Sequence, residues 1–175
     1  SALKIINQAH GLIGDAPENV LEGSLLPETY FYSYNDTKLS TVKRMQAEMQ
    51  KVIDDLWEKR DLTTPLKNKF EAIILASIVE RETGVASERG KVASVFVNRL
   101  KKGIKLQSDP TIIYSYSFGH KELEHPIRKS DINNNSQYNT YHVYGLPPGP
   151  ICNRGISFFY VVLNPLTSVS LYFVA

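Results

Sequence analysis

Two acidic side chains close the most apolar stretch of this sequence. In Ile78-Val79-Glu80-Arg81-Glu82-Thr83-Gly84, Glu80 and Glu82 follow a run in which Phe70, Ile73, Ile74, Leu75, Ala76, Ile78 and Val79 fall on every side of a helical wheel. A helix apolar all round is a buried helix. Burial disfavours the charged form of a carboxyl group and raises its pKa. A carboxyl that keeps its proton near neutral pH can serve as a general acid. Glu82 lies in the last turn, where the negative end of the helix dipole pushes the same way. The spacing also fits a helix that surfaces here, with both acids solvated or paired with Arg81 and Arg89. It does not choose between Glu80 and Glu82.

Other chemistry finds less support. His10, His120, His125 and His142 show no metal-ligand spacing, so no metal is expected. Cys152, the one cysteine, excludes an internal disulfide, and a lone thiol near His142 without an activating context reads as inert. No GxGxxG, P-loop or GxSxG occurs, so no cofactor is expected. A net charge of +2 with scattered Lys and Arg gives no phosphate-tracking patch, and nucleic acid is not an expected partner. The run Tyr138-Asn139-Thr140-Tyr141 mixes stacking faces with amides and hydroxyls. That suits sugar binding, and it suits an amphipathic strand equally.

The elements that position these residues are mostly helical. Hydrophobic residues make up 42% and charged residues 22% of the 175, enough for one domain with a real core. Val42, Met45, Met49, Val52, Ile53 and Leu56 recur at helical spacing and predict a long helix over 40–60. The buried helix is expected over 67–83, with Gly84 as a left-handed cap. A third is expected over 87–102, capped by Ser87, with Glu88 suited to its positive end. An Asp109-Pro110 turn, a short helix over 111–117 and a last helix over 156–163 follow. Residues 30–34, the alternating stretch 138–144 and the terminal 171–175 read as β-like. GLPPGP at 145–150 is a rigid turn. The expected class is therefore α+β, helix-rich with a small β-sheet. No stretch reaches the about 18 apolar residues of a membrane span.

The block ASIVERETGVASERGKVASVFVNRL (76–100) closely resembles the signature of MltG-type, or YceG-like, endolytic murein transglycosylases. LEGSLLPETYFY (21–32), LQSDPTIIY (106–114), YNTYHVYGLPPGPI (138–151) and the final LYFVA match in the same order. The resemblance implies a catalytic domain over 24–175 with a lysozyme-like active-site helix, preceded at 1–23 by the tail of a LysM-like region or a linker. It implies a lyase that cuts peptidoglycan strands internally between N-acetylmuramic acid and N-acetylglucosamine, leaving 1,6-anhydromuramyl ends. The family glutamate is the one followed by threonine, which selects Glu82. Gln107, Tyr138 and Asn139 are expected to hold the glycan, and Glu88 and Asp109 to support the site. The resemblance also implies wall-synthesis enzymes as partners, and an N-terminal membrane helix that holds the catalytic region outside the cytoplasmic membrane. It further implies a Gly-x-His-x-Phe segment beyond LYFVA, and Arg154 stands where the family pattern has a proline. A lysozyme-like hydrolase, and a non-catalytic glycan-binding or scaffold module of the wall-synthesis machinery, are the alternatives.

Overall fold

The computed structural model describes residues 2–17, 20–119 and 123–173. Seven helices appear in the order α1 (Ala2–Gln8), α2 (Lys38–Glu58), α3 (Lys69–Glu82), α4 (Arg89–Lys101), α5 (Asp109–Ser117), α6 (Lys129–Ile132) and α7 (Ile156–Leu163). Helix α3 is the hub, packed against α2, α4, α5 and α7. Its middle is sealed: Ala72, Leu75, Ala76, Ser77, Ile78 and Val79 expose no surface. Phe70, expected inside, is instead exposed in the first turn. Asn68 caps the start by accepting from the Glu71 N–H at 2.9 Å, and Glu71 in return accepts from the Lys67 N–H at 2.7 Å. The helix ends because Thr83 turns extended, at φ −142° and ψ 130°, so Gly84 does not serve as the left-handed cap.

The expected β-sheet is absent among the described residues, and the class is helical, not α+β. A single bridge, Ile13 to Thr37, is the one piece of β pairing there. The reason is local. In 138–144 the backbone bonds fold back on the turn: the His142 and Val143 N–H groups both donate to the Asn139 carbonyl. A side chain holds the same turn, so no ladder is available to a neighbour. Residues 30–34 likewise form no strand. At the other end, 171–173 form no strand, and side chains strap down the segment that leads to them. Asn98 Nδ2 donates to the Ser168 and Ser170 carbonyls, and Arg99 Nε to Leu171 O. Val174 and Ala175, the rest of the expected terminal strand, lie outside the described residues.

One buried cation ties the N-terminal segment to the centre. Arg154 is fully buried, its guanidinium 5.2 Å from the Phe159 ring centroid. It donates to Cys152 O at 2.7 Å and to Gly23 O at 3.3 Å. Burial pushes its pKa down to about 10. Arg154 thus fastens the 150–155 turn onto Gly23. Gly23 itself has φ 79°, and a β-carbon there would meet Arg154 Nη2 at 2.5 Å and Pro150 Cγ at 2.6 Å. Left-handed backbone costs an L-residue roughly 1–2 kcal/mol, and overpacking a core roughly 1–3 more. Gly23→Ala should therefore lower unfolding free energy by about 3 kcal/mol, read as a shifted urea midpoint. An unshifted midpoint would show that the clamp does not hold these segments together.

Candidate active site

The two glutamates at the end of α3 point to different surroundings, as a separation of about 200° on a helix requires. Glu80 faces the buried Arg154. Burial raises its pKa, while Arg154, the Gly155 N–H, Arg89 and Arg81 pull it back. One of its oxygens is buried without a hydrogen-bond partner. Glu82 faces the start of α5. Ser108 Oγ donates to Glu82 Oε2 at 2.7 Å. Burial is the main cause that raises its pKa, the Ser108 bond opposes it, the Asp109 charge adds to it and Arg99 opposes. Neither glutamate forms an ion pair among the described residues.

Ser108 is placed by a closed set of hydroxyl bonds. Its N–H donates to Thr140 Oγ1 at 2.9 Å, and Thr111 Oγ1 donates to its carbonyl at 2.6 Å. The Thr111 and Thr140 hydroxyls lie 2.8 Å apart. Thr111 has already given its one proton, so Thr140 is the donor between them. Gln107, just before, takes φ 50°, the left-handed region that L-residues avoid, and its N–H donates to Thr140 O at 3.1 Å. Ser108 occupies the N-cap position of α5, yet its side chain caps nothing. The hydroxyl points to Glu82, to which it donates, and not to the first-turn N–H groups of the helix.

The expected site residues divide. Gln107 is exposed beside Ser108. Asp109 is exposed at the first position of α5 and accepts from Tyr141 Oη at 2.6 Å. Glu88 is exposed and accepts from Thr83 Oγ1 at 2.9 Å, which fixes the turn after Glu82. Helix α4 starts at Arg89, after Glu88, so Ser87 is not its cap. Tyr138 is half-buried in an aromatic cluster, 4.9 Å from Tyr114 and 5.9 Å from Phe118 between ring centroids. Asn139 is fully buried. Its amide nitrogen donates to Ile132 O at 2.9 Å and Asn134 O at 2.7 Å, and its oxygen accepts from the Tyr141 N–H at 3.0 Å. Its polar atoms are thus spent on the chain's own turns. Ser108, Thr111, Thr140 and Tyr141 were not singled out individually from the sequence. The signal for Ser108 was there: Ser-Asp-Pro is a helix start, with proline tolerated in the first turn.

A cleft of about 880 Å³ opens between the N-terminal segment and α5, and Glu82, Gln107, Ser108 and Asp109 are not among the residues that line it. Arg81 and Pro110, the neighbours of Glu82 and Asp109, are on its wall, together with Glu22, Tyr30 and Tyr114. Cys152 is also there, but its thiol donates to Ser77 O and burial pushes its pKa up to about 12, so thiolate is scarce. His120 lies outside the described residues, and His142 is exposed.

The chain has known relatives. The YceG-like family pattern matches residues 2–175, and the chain belongs to that family. An endolytic murein transglycosylase of Bacillus subtilis is 36% identical over 156 residues, covering 89% of this chain and 42% of the relative. One from Streptococcus pneumoniae is 33% identical over 159 residues, covering 89% and 28%. A YceG-like protein of Listeria monocytogenes, known from a crystal structure, superposes with a TM-score of 0.75 at 32% identity, over 98% of this chain and 54% of that one. The chain thus spans less than half the length of these curated relatives.

The buried amide yields a prediction. Asn139→Ala strands several buried polar groups, each worth roughly 1–3 kcal/mol when unsatisfied. It should destabilise the fold by about 3 kcal/mol in urea titration. A near-native midpoint combined with weakened glycan binding would instead make Asn139 a direct sugar ligand.

Proposed function

We propose that this chain is the catalytic region of an endolytic murein transglycosylase, with Glu82 as its single acid and base. The observation that carries the proposal is the Glu82 carboxyl itself: set at the end of a buried helix, held by one neutral donor, and raised in pKa chiefly by burial. The printed names of the relatives support the reading. Protonated Glu82 gives its proton to the glycosidic oxygen, and the bond from that oxygen to muramyl C1 breaks. The resulting carboxylate, steadied by the Ser108 hydroxyl, takes the proton of the muramyl C6 hydroxyl as that oxygen bonds to C1. The 1,6-anhydro product forms without water, and Glu82 ends protonated as it began. The internal hydroxyl is already tethered to the reacting carbon, so proximity replaces an activated water.

Each remaining residue then has a task. Gln107, exposed beside Ser108, is a candidate sugar contact. Asn139 shapes the turn that carries Thr140 and Tyr141, and Tyr138 packs that turn against α5. The substrate is peptidoglycan glycan, in nascent strands. Wall-synthesis enzymes as partners, and a membrane anchor with this region on the outer side, belong to the same proposal. No helix among the described residues is long and apolar enough to cross a membrane.

One observation favours a second reading. Asp109 supplies another carboxylate whose charge is felt at Glu82. A hydrolase needs such a partner to activate water. The products separate the two. Full-length protein acting on linear glycan strands should yield 1,6-anhydromuramyl ends at internal cuts, lighter by one water than reducing ends in mass spectra. Glu82→Gln should abolish cleavage with the fold intact, a loss of at least about 10²-fold for a missing general acid. Glu80→Gln should keep most activity per folded molecule. Reducing muramic acid ends would leave the hydrolase standing, and a dead Glu80→Gln beside an active Glu82→Gln would overturn the assignment.

A further inference from the structure

Asp109 follows the serine that binds Glu82, and its carboxylate is held in place. Tyr141 Oη donates to Asp109 Oδ1 at 2.6 Å. Tyr141 is fixed in turn, because its backbone N–H donates to Asn139 Oδ1 and the Asn139 amide is tied to the 131–134 turn. The neighbouring Thr140 meanwhile accepts the Ser108 N–H. One short turn therefore sets both the hydroxyl that binds Glu82 and the anion beside it.

We infer that Tyr141 and Asp109 form a positioning pair that keeps the proton on Glu82 until the glycosidic oxygen takes it. The inference rests on the reading of Glu82 as the acid. The groups whose bond or charge acts on Glu82 come from three elements. Helix α5 supplies Asp109 and the uncharged Ser108 hydroxyl, α4 supplies Arg99, and the 138–144 turn supplies Tyr141. Arg99 is the one cation among them. Its Nε is engaged by Leu171 O at 2.7 Å and its Nη1 by Leu106 O at 2.6 Å, so these donors reach backbone, not the glutamate. Tyr141 stays a neutral donor: burial and then the bond to Asp109 raise its pKa beyond the ordinary tyrosine range. An ionised Asp109 repels negative charge on Glu82 and so favours its protonated form. Ser108 acts in the opposite sense by bonding the carboxylate.

These opposed signs give the test. With full-length protein and linear glycan strands, the alkaline limb of kcat/KM reports ionisation of the essential acid in the free enzyme. Asp109→Asn removes the repelling charge, so Glu82 loses its proton at lower pH and the limb moves to lower pH. Tyr141→Phe leaves the charge but frees it, and moves the limb the same way by less. Ser108→Ala removes the bond to the carboxylate and moves the limb to higher pH. A purely structural role for the pair would lower the amount of folded protein and leave the limb in place. Should Asp109→Asn fail to fold, Tyr141→Phe carries the test alone. An unmoved limb in a folded variant of the pair, with wild-type cleavage intact and Glu82→Gln inactive, overturns this inference and leaves the reading of Glu82 standing. Absence of any Glu82-dependent cleavage by the unsubstituted protein overturns both.

Discussion

Helix α3 has no free face along its middle, and everything around it answers to that constraint. Its side chains from Ala72 to Val79 are covered by α2, α4, α5 and α7, apart from the partly covered Ile73. Burial of that many aliphatic groups is the main favourable term in such a core, at about 25 cal/mol per Å² of apolar surface. It also fixes what happens when the sequence turns acidic. Two carboxyl groups emerge at the end of a dry helix and must each find a partner or hold a proton. Glu80 feels the charge of the fully buried Arg154 without forming an ion pair with it. Glu82 receives one neutral hydroxyl. Burial raises the pKa of both, and in the proposed function Glu82 is the one that gives its proton.

The surroundings of Glu82 contain local choices that stability alone would not favour. Gln107 adopts a left-handed backbone, at a cost of roughly 1–2 kcal/mol for an L-residue. Ser108 forgoes a helix cap worth about 1 kcal/mol. The Thr111 and Thr140 hydroxyls, fully buried, satisfy one another and the Ser108 backbone. Such strain persists where the surroundings over-determine it, and it gathers at functional sites. Here the over-determination comes from the 138–144 turn, which reaches across to α5 and binds it at three points.

Much of this was legible in the sequence. The periodicity around Val42, Met45 and Met49 located α2, and the apolar run before Glu80 located α3 and its burial. The acid pair stood out because charge directly followed that run. Periodicity had no means to separate Glu80 from Glu82, since both spacings lead off a helix with no outer face. The alternation in YNTYHVY reads as strand, whereas the chain makes a turn there. Alternation records which side chains point inward, and a side-chain amide such as that of Asn139 can fold the backbone on itself and remove the ladder. Ser108 and Tyr141 stayed hidden for a different reason. Their bonds join positions 26 and 32 residues apart, and no local pattern encodes such a contact.

The central claim is that burial holds the proton on Glu82, and site-resolved titration of its side-chain carboxyl by carbon NMR tests it most directly. A raised folded value means that the folded chain binds the proton more tightly than the unfolded one. Stability is then fully present below the unfolded carboxyl value and is lost as pH rises through the folded value. The account predicts a Glu82 midpoint clearly above that of a free glutamate side chain, and a midpoint that rises further when Ser108 is replaced by alanine. A Glu82 midpoint at or below the free side-chain value would contradict the account, because a carboxyl already ionised at neutral pH has no proton to donate.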